Sequence, residues 1–171
     1  MKIRKILILS ALFFVNFSIA SELEKYQNTN QMVHQSDFAK STKKFFGNLY
    51  GTYSWENGLV YDQVFMALSG PPDDIQKIEG TELYLASACQ VHNCGAKAAV
   101  ILSDIRTPVA YAIIHTTECP RKPVLNDCVR HDVMTIFSKK VEVDSKFERV
   151  FTEWAESKAG KMYDVHKKTI R

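Results

Sequence analysis

Apolar residues recur at helical spacing in two segments, one toward each end of the chain. Ser36 is a suitable N-cap for the first predicted helix, which we expect to end near Gly47 or Gly51. Ser145 is a suitable N-cap for the second, which we expect to end at Gly160. The apolar positions are Phe38, Phe45, Phe46 and Leu49 in the first helix, and Phe147, Val150, Phe151, Trp154 and Ala155 in the second. Stripes of this kind are typical of helices that pack on a core.

Between these helices, short runs rich in apolar and β-branched residues predict β-strands at 75–78, 81–88, 96–102, 109–116 and 129–138. Gly70-Pro71-Pro72 should break the chain before the strands, and 103–108 should form a turn. The polar segment 21–35 is expected to be loose. This order predicts an α+β fold, in which a meandering antiparallel β-sheet of about five strands has flanking helices.

The N-terminus has the layout of a secretory signal peptide. A basic opening with Lys2, Arg4 and Lys5 precedes an apolar stretch at 6–19, and small residues lead to a cleavage point after Ala20. The apolar stretch is shorter than the about 20 residues that a membrane-spanning helix needs. We therefore expect a signal peptide at 1–20, a single exported domain at 21–171, and no membrane span in the mature chain.

The charge balance argues against a nucleic-acid partner. The chain has 22 Lys and Arg residues against 19 Asp and Glu residues. Removal of the signal peptide takes three basic residues and no acidic one, so the remainder is formally neutral and no nucleic acid is expected. An acidic run at 55–94 and a basic run at 158–171 remain, and a solvated surface is the simpler interpretation of each.

Four cysteines in an exported chain favour two disulfides, for which three pairings exist. Local pairing, as Cys89–Cys94 and Cys119–Cys128, is the simplest of them. A bridge would hold the Cα atoms of the first pair roughly 4.4–6.8 Å apart, so the four residues between them must bulge outward. Such a loop is poor at building a core and good at presenting a side chain, here His92. The loop consists of Cys89, Gln90, Val91, His92, Asn93 and Cys94.

Four interpretations of this loop compete. Cys89, His92 and Cys94 are candidate zinc ligands, but their spacing is not a standard zinc pattern and oxidation competes in an exported protein. A Cys/His thiol enzyme would need a free thiolate, and a redox disulfide usually has C-x-x-C spacing. In the fourth interpretation the bridge is structural, and the loop is either a presented binding element or merely a stapled hairpin.

The other histidines offer no catalytic motif. His34 lies near a predicted helix start, His115 and His131 lie in predicted strands, and His166 lies in the basic run. Surface or structural roles are the simpler interpretation for all of them. We therefore expect no enzymatic activity, no metal and no cofactor.

The run Ser87-Ala88-Cys89-Gln90-Val91-His92-Asn93-Cys94-Gly95 resembles the inhibitor of vertebrate lysozyme (Ivy) family, which has a C-x-x-H-x-C loop in the same frame. The resemblance covers about residues 70–103. It implies an α+β inhibitor of c-type lysozyme in the bacterial periplasm, whose bridged loop enters the active-site cleft, in evasion of host defence. Cys89, His92, Cys94 and Gly95 carry over. The implied partner is a lysozyme or related muramidase, and since the family includes dimers, a homodimer stays open.

The residues around the histidine differ from the family's best-known loop. That loop has lysine and proline before the histidine and aspartate after it, where this chain has Gln90, Val91 and Asn93. The alternative is therefore an exported binding protein of the same fold that acts on another muramidase or on a lytic transglycosylase. The predicted Cys119–Cys128 loop lies outside the matched segment, and we expect it to staple a surface loop or to supply a second contact.

Overall fold

The computed structural model describes residues 22–118, 130–140, 144–162 and 164–171. The predicted signal peptide at 1–20 and the predicted Cys119–Cys128 loop lie outside these ranges. In chain order the elements are a 3₁₀ turn Glu22–Lys25, α1 Thr29–Val33, α2 Ser36–Phe46, β1 Tyr50–Gly51, β2 Gly58–Leu59, α3 Val60–Leu68, β3 Gln76–Lys77, β4 Tyr84–Gln90, β5 Asn93–Asp104, β6 Thr107–Glu118, β7 Arg130–Ser138, α4 Ser145–Ala159 and β8 Asp164–Thr169.

A mixed six-stranded sheet forms the centre of the fold, and its strands follow one another in chain order from β3 to β8. The strands β3 to β7 pair antiparallel, as the predicted meander requires. The strand β8 pairs parallel with β7, from Val133↔Asp164 to Ser138↔Thr169. The α+β prediction is confirmed, and the sheet is extended beyond the five predicted strands by β8 and accompanied by a separate β1–β2 pair.

Alternate residues of the central strands point into two separate cores, one on each face of the sheet. On the first face, side chains of β4 to β7 pack with α1, α2 and α3 around buried residues such as Phe38, Val64 and Tyr111. On the second face, Ile101, Ile114 and Ile136 belong to a core that includes Phe151 and Trp154 of α4. The sheet is therefore the middle layer of three, because its apolar positions are buried on both sides.

The two predicted helices are present as α2 and α4, and the predicted break at Gly70-Pro71-Pro72 follows α3. Both predicted caps are displaced by one residue, since the N-caps are Gln35 and Asp144. The carboxylate of Asp144 accepts a hydrogen bond from the Lys146 amide at 2.9 Å. An ionised oxygen beside the helix N-terminus makes this residue a favourable cap.

Two predictions about local structure are wrong. The segment 21–35 is not loose over its described part, because it forms the 3₁₀ turn and α1, whose Met32 and Val33 are fully buried. The part of the basic run at 164–169 is not a plain solvated tail, because it forms β8, and Ile170 beyond it is only 6% exposed. Contacts with the rest of the fold determine the structure of both segments, because neither segment has a clear hydrophobic period of its own.

The helix α3 was not predicted, although its apolar spacing supports one. Val60, Val64, Ala67 and Leu68 are buried along one side of it. The buried Gln63 holds the β1–β2 hairpin: its Oε1 accepts from the amides of Tyr53 and Ser54 at 2.9 and 2.8 Å. Its Nε2 donates to the carbonyl oxygens of Gly51 and Gly58. The helix thus fixes the hairpin above the sheet and ends directly before the segment that supports the cysteine loop.

Candidate functional site

The cysteine loop is the connection between β4 and β5, as its position between two predicted strands indicated. Gln90 and Asn93 are paired across the hairpin, so Val91 and His92 alone form the turn. The next pair is Cys89↔Lys97, which leaves residues 94–96 of β5 without a counterpart on β4. This bulge widens the hairpin directly below its tip and turns Cys94 back toward Cys89.

Cys89 and Cys94 form a disulfide with a Cα–Cα distance of 4.8 Å. The expected bridge is therefore present in the structure and closes a ring of only six residues. The ring leaves residues 91–95 exposed to solvent, and Val91 alone presents 47% of its surface. The loop thus buries little of itself and presents its tip, as a binding element requires.

His92 occupies the tip of the loop. Its φ is +60°, in the left-handed region. Histidine, asparagine and aspartate enter this region more readily than other residues that have a side chain. The imidazole is exposed, and within the described ranges it has neither a hydrogen-bond nor an ion-pair partner. The ring is therefore available to a partner molecule.

The loop is supported from below by the segment that follows α3. Gly70 lies so close to the loop that a Cβ atom there would be 2.1 Å from the Cys89 carbonyl oxygen and 2.6 Å from the Val91 nitrogen. The Cys89 amide donates to the carbonyl oxygen of Pro71 at 3.2 Å, and Pro72 forms a β-bridge with Ala88. These backbone contacts place the Gly70-Pro71-Pro72 segment against the base of the hairpin.

Asp73 connects this supporting segment to three other elements. Its carboxylate accepts from the Ser87 hydroxyl of β4 at 2.5 Å and from the Lys158 ammonium of α4 at 2.5 Å. Its carbonyl oxygen accepts from the amide and the hydroxyl of Thr29 in α1 at 3.1 and 3.2 Å. Asp73 therefore ties both faces of the sheet to the base of the loop.

Sequence reasoning located the loop but missed Gly70, Asp73, Ser87 and Lys158 as parts of its support. The Gly-Pro-Pro-Asp sequence was interpreted only as a chain break. The local sequence offers one signal for a supporting role, which is that the turn is followed directly by an aspartate and then by a strand. The contacts themselves join residues that are far apart in the chain.

Charges near the loop are partly paired. Among the acidic residues of the 55–94 run, Asp73 pairs with Lys158, and Glu82 pairs with Lys77 at 3.0 Å. Asp62 and Asp74 are exposed. Lys97 donates to the Cys94 carbonyl oxygen inside the loop. In the basic run, Lys167 pairs with Glu148 of α4 at 2.7 Å, so this run is partly bound to the fold.

The remaining histidines do not join the loop. His34 is exposed at the C-terminal end of α1. His115 is half-buried in β6, where its Nε2 lies 3.2 Å from the Thr135 hydroxyl. His166 is exposed on β8, and His131 is half-buried on β7. In the parts of the chain that the structure describes, no group of three or more His, Cys, Asp or Glu side chains is placed to hold a metal ion.

Comparison with protein families gives one match. The model of the Ivy family, described as inhibitor of vertebrate lysozyme, matches residues 58–130. This segment runs from β2 to the first residue of β7 and includes the whole cysteine loop. The match confirms the resemblance to the Ivy family that the loop indicated. Comparison with curated proteins and with solved structures finds no match.

The matching model describes a family of inhibitors of vertebrate lysozyme, and it covers 73 of the 171 residues of the chain. The Ivy family is one of inhibitors rather than enzymes. Within the described ranges, none of the helices has the length and apolar character needed to cross a membrane.

Proposed function

We propose that this chain is a periplasmic inhibitor of c-type lysozyme and that the loop at 89–94 enters the active-site cleft of the enzyme. One observation carries the proposal. His92 is exposed at the tip of a disulfide-bridged two-residue turn, has no hydrogen-bond or ion-pair partner among the described residues, and lies within the segment that matches the Ivy family. A narrow hairpin that presents one free ring suits a narrow cleft.

The chemistry of the target explains why the tip residue is a histidine. A retaining glycosidase has two carboxyl groups about 5–5.5 Å apart, one holding a proton and the other ionised. An imidazole has two nitrogen atoms on different sides of a small ring, so one ring between the carboxyl groups contacts both. As imidazolium, it would donate two charge-assisted hydrogen bonds, each worth about 1.5–3 kcal/mol. The ring would also occupy the space of the substrate.

Rigidity of the loop supports tight binding. The disulfide, the close approach of Gly70 and the Cys89–Pro71 hydrogen bond restrict the hairpin before any partner arrives. A loop that is already ordered loses less conformational entropy on binding. The same residues outside the loop therefore contribute to affinity, although none of them needs to contact the target.

Charge supports encounter with the target. Lysozymes of the c-type are generally basic. This chain has two exposed acidic residues in the region that leads to the loop: Asp62 near the start of α3, and Asp74 shortly after the Gly70-Pro71-Pro72 segment. Opposite charges on two partners raise the association rate more than the final affinity. We expect this contribution to weaken as the salt concentration rises.

We place the protein in the periplasm for two reasons. The pattern at 1–20 is that of a cleaved signal peptide. Disulfides such as Cys89–Cys94 persist in oxidising compartments and are rare in the cytosol.

Titration of a c-type lysozyme with the purified protein tests the proposed function, with cell-wall hydrolysis as the measurement. We expect complete inhibition near an equimolar ratio, and equal inhibition by a His34→Ala control, since His34 is exposed and far from the loop in sequence. No inhibition at micromolar concentration would contradict the proposal. Parallel assays with a lytic transglycosylase and with a second class of muramidase would then identify the alternative target.

A further inference from the structure

An open cavity of about 390 Å³ lies where the β1–β2 hairpin approaches β6, β7 and β8. His115 and Thr135 line it from the sheet, on the same face as Tyr111 and Ile113 of the first core. Tyr53 lines it from the hairpin. The cavity is therefore on the face that carries α1, α2 and α3, whereas Cys89 and Cys94 line a separate pocket with Trp154 and Lys158 of α4.

The side chains that line this cavity have an unbalanced charge. Eight of the residues that the structure describes line it, and none of these eight is Asp or Glu. The polar ones that matter for binding are Thr52, Tyr53, His115, Thr135, His166 and Lys168. All of them can donate a hydrogen bond, and Lys168 carries a positive charge. A cavity of this composition attracts an anion rather than a cation.

Lys168 is the main source of positive charge. It is half-buried, and within the described ranges it has no carboxylate partner. Its neighbour Lys167 differs, because its ammonium group is bound to Glu148 at 2.7 Å. The ammonium group of Lys168 is therefore available to pair with a bound anion.

The aromatic side of the cavity provides neutral donors. The rings of Tyr53 and His115 are 5.1 Å apart at an angle of 88°, so they hold each other in place. Burial, and to a smaller extent His166, lowers the pKa of His115 to about 4, while Asp132 acts in the opposite direction. The imidazole of His115 is thus uncharged at neutral pH. It lines the cavity as a neutral ring with one N–H group.

We propose that this cavity is a binding site for a small tetrahedral oxyanion of the phosphate type, held by Lys168, His166 and the hydroxyl groups of Tyr53 and Thr135. Lysine is a frequent phosphate ligand because its ammonium group offers three donors on a compact charge. Phosphate offers more acceptor oxygens than a carboxylate and so can engage donors from both the hairpin and the sheet. The site is independent of the proposed inhibitory loop.

NMR of the histidine side chains tests this site on the full purified chain. Inorganic phosphate, acetate and chloride are added at equal ionic strength and constant pH, and the ring signals of His166 and His115 are followed. We expect phosphate to produce saturable shifts of both signals and acetate to bind at least about fivefold more weakly. The exposed His34 and His92 serve as internal references that should not saturate.

Two variants make the test specific. Lys168→Ala should weaken phosphate binding at least about tenfold, whereas Lys161→Ala, an exposed lysine that does not line the cavity, should leave it unchanged. The proposal is overturned if phosphate and chloride give the same shifts, if all four histidines respond alike, or if Lys168→Ala binds phosphate as tightly as the natural chain. Unchanged amide signals of β4 and β5, which do not line the cavity, show that the Lys168→Ala variant is folded.

Discussion

Two properties of His92 suit it to the tip of the loop: its backbone adopts a left-handed conformation, and its side chain is an imidazole. The left-handed φ of +60° costs most residues roughly 1–2 kcal/mol, and the two-residue turn of the hairpin requires it at this position. Asparagine also adopts the left-handed region readily, but it has no imidazole ring. A substitution with asparagine therefore separates the contribution of the ring from that of the turn.

Gly70 is the residue on which the shape of the loop base depends most. Replacement by alanine would place a Cβ within 2.1–2.8 Å of three backbone atoms of residues 89–91. Because these are backbone atoms, they cannot rotate away. We expect Gly70→Ala to lower the free energy of unfolding by about 1–3 kcal/mol and to shift the amide signals of the loop. Urea unfolding and NMR measure the two effects.

Gly95→Ala is the matched control for that variant. Its Cβ would approach only the Asn93 side-chain oxygen, at 3.1 Å, and this flexible group can move aside. We expect unchanged stability and unchanged signals at residues 89–91. Equal stability losses in the two glycine variants would contradict the claim that Gly70 supports the loop.

At the scale of single residues, sequence reasoning succeeded where the signal was local. The spacing of Cys89 and Cys94 predicted a bulging loop that exposes His92, and the resemblance of the Ser87-to-Gly95 run to the Ivy family favoured a binding role over a plain stapled hairpin. Gly70 and Asp73 could not be assigned to the loop, because their contacts lie 14 or more residues away in the chain and produce no hydrophobic period.

The β4–β5 hairpin combines a tight turn with a wide base, because the bulge at 94–96 adds residues on one strand only. The disulfide closes this irregular ring and replaces the ladder hydrogen bonds that the bulge removes. The hairpin is thus held by a covalent bond where its regular pairing is weakest.

Removal of this disulfide tests its role. The double variant Cys89→Ser/Cys94→Ser leaves the other cysteine pair unchanged, which chemical reduction would not. Because the closed loop is short, we expect a loss of roughly 2 kcal/mol in the free energy of unfolding. We expect a larger loss in binding to lysozyme, since the loop must then be ordered at the moment of binding. Calorimetry measures both quantities, and undiminished affinity would show that a rigid loop is not required.

Asp73 couples α4 to the base of the loop through Lys158 and Ser87. Asp73→Ala would leave both donors without their acceptor, and we expect a loss of about 1.5–3 kcal/mol in stability. Hydrogen exchange of the Cys89 amide should also accelerate, because its bond to Pro71 lies in the segment that Asp73 holds.

The control for Asp73 is Glu82→Ala, which breaks the ion pair with Lys77 at the protein surface. Exposed pairs contribute little, so neither stability nor exchange of the Cys89 amide should change measurably. If Asp73→Ala also leaves this exchange unchanged, then the ion pair does not brace the loop.

At the scale of elements, the hydrophobic pattern predicted the strands β3 to β7 and the helices α2 and α4. It did not predict β8, in which Val165 is the single apolar residue and whose conformation comes from parallel pairing with β7. It also did not separate α3 from its surroundings, because a nine-residue apolar helix resembles a buried strand in composition.

The whole molecule is a three-layer structure whose central sheet carries the loop at one end. Both faces of the sheet are covered, by α1 to α3 and by α4, and contacts from both layers reach Asp73. The stability of the whole fold therefore contributes to the geometry of the loop, which itself buries little surface.

His115 makes the stability of the molecule sensitive to acid. Its pKa of about 4 in the folded state lies below the value of about 6.5 in an unfolded chain, so the unfolded chain binds more protons as the pH falls between these values. The contribution is complete above about pH 6.5 and is lost progressively toward pH 4. After allowance for solvent screening of a half-buried ring, we expect a loss of about 1 kcal/mol from pH 7 to pH 5.

Urea unfolding at both pH values checks this expectation. His115→Gln should lack this part of the pH dependence, whereas a His34→Gln control should retain it, because His34 is exposed. The same pH dependence in all three proteins would mean that other groups are responsible.

The affinity of His92 variants for a c-type lysozyme tests the central claim most directly. His92→Asn, which preserves the left-handed turn, and His92→Ala should each weaken binding by about 2–4 kcal/mol, the usual range for a central interface residue. Unchanged amide signals outside the loop would show that both variants are folded. Inhibition by both variants at the concentration that suffices for the natural chain would contradict the account, because the imidazole would then not be the group that occupies the cleft.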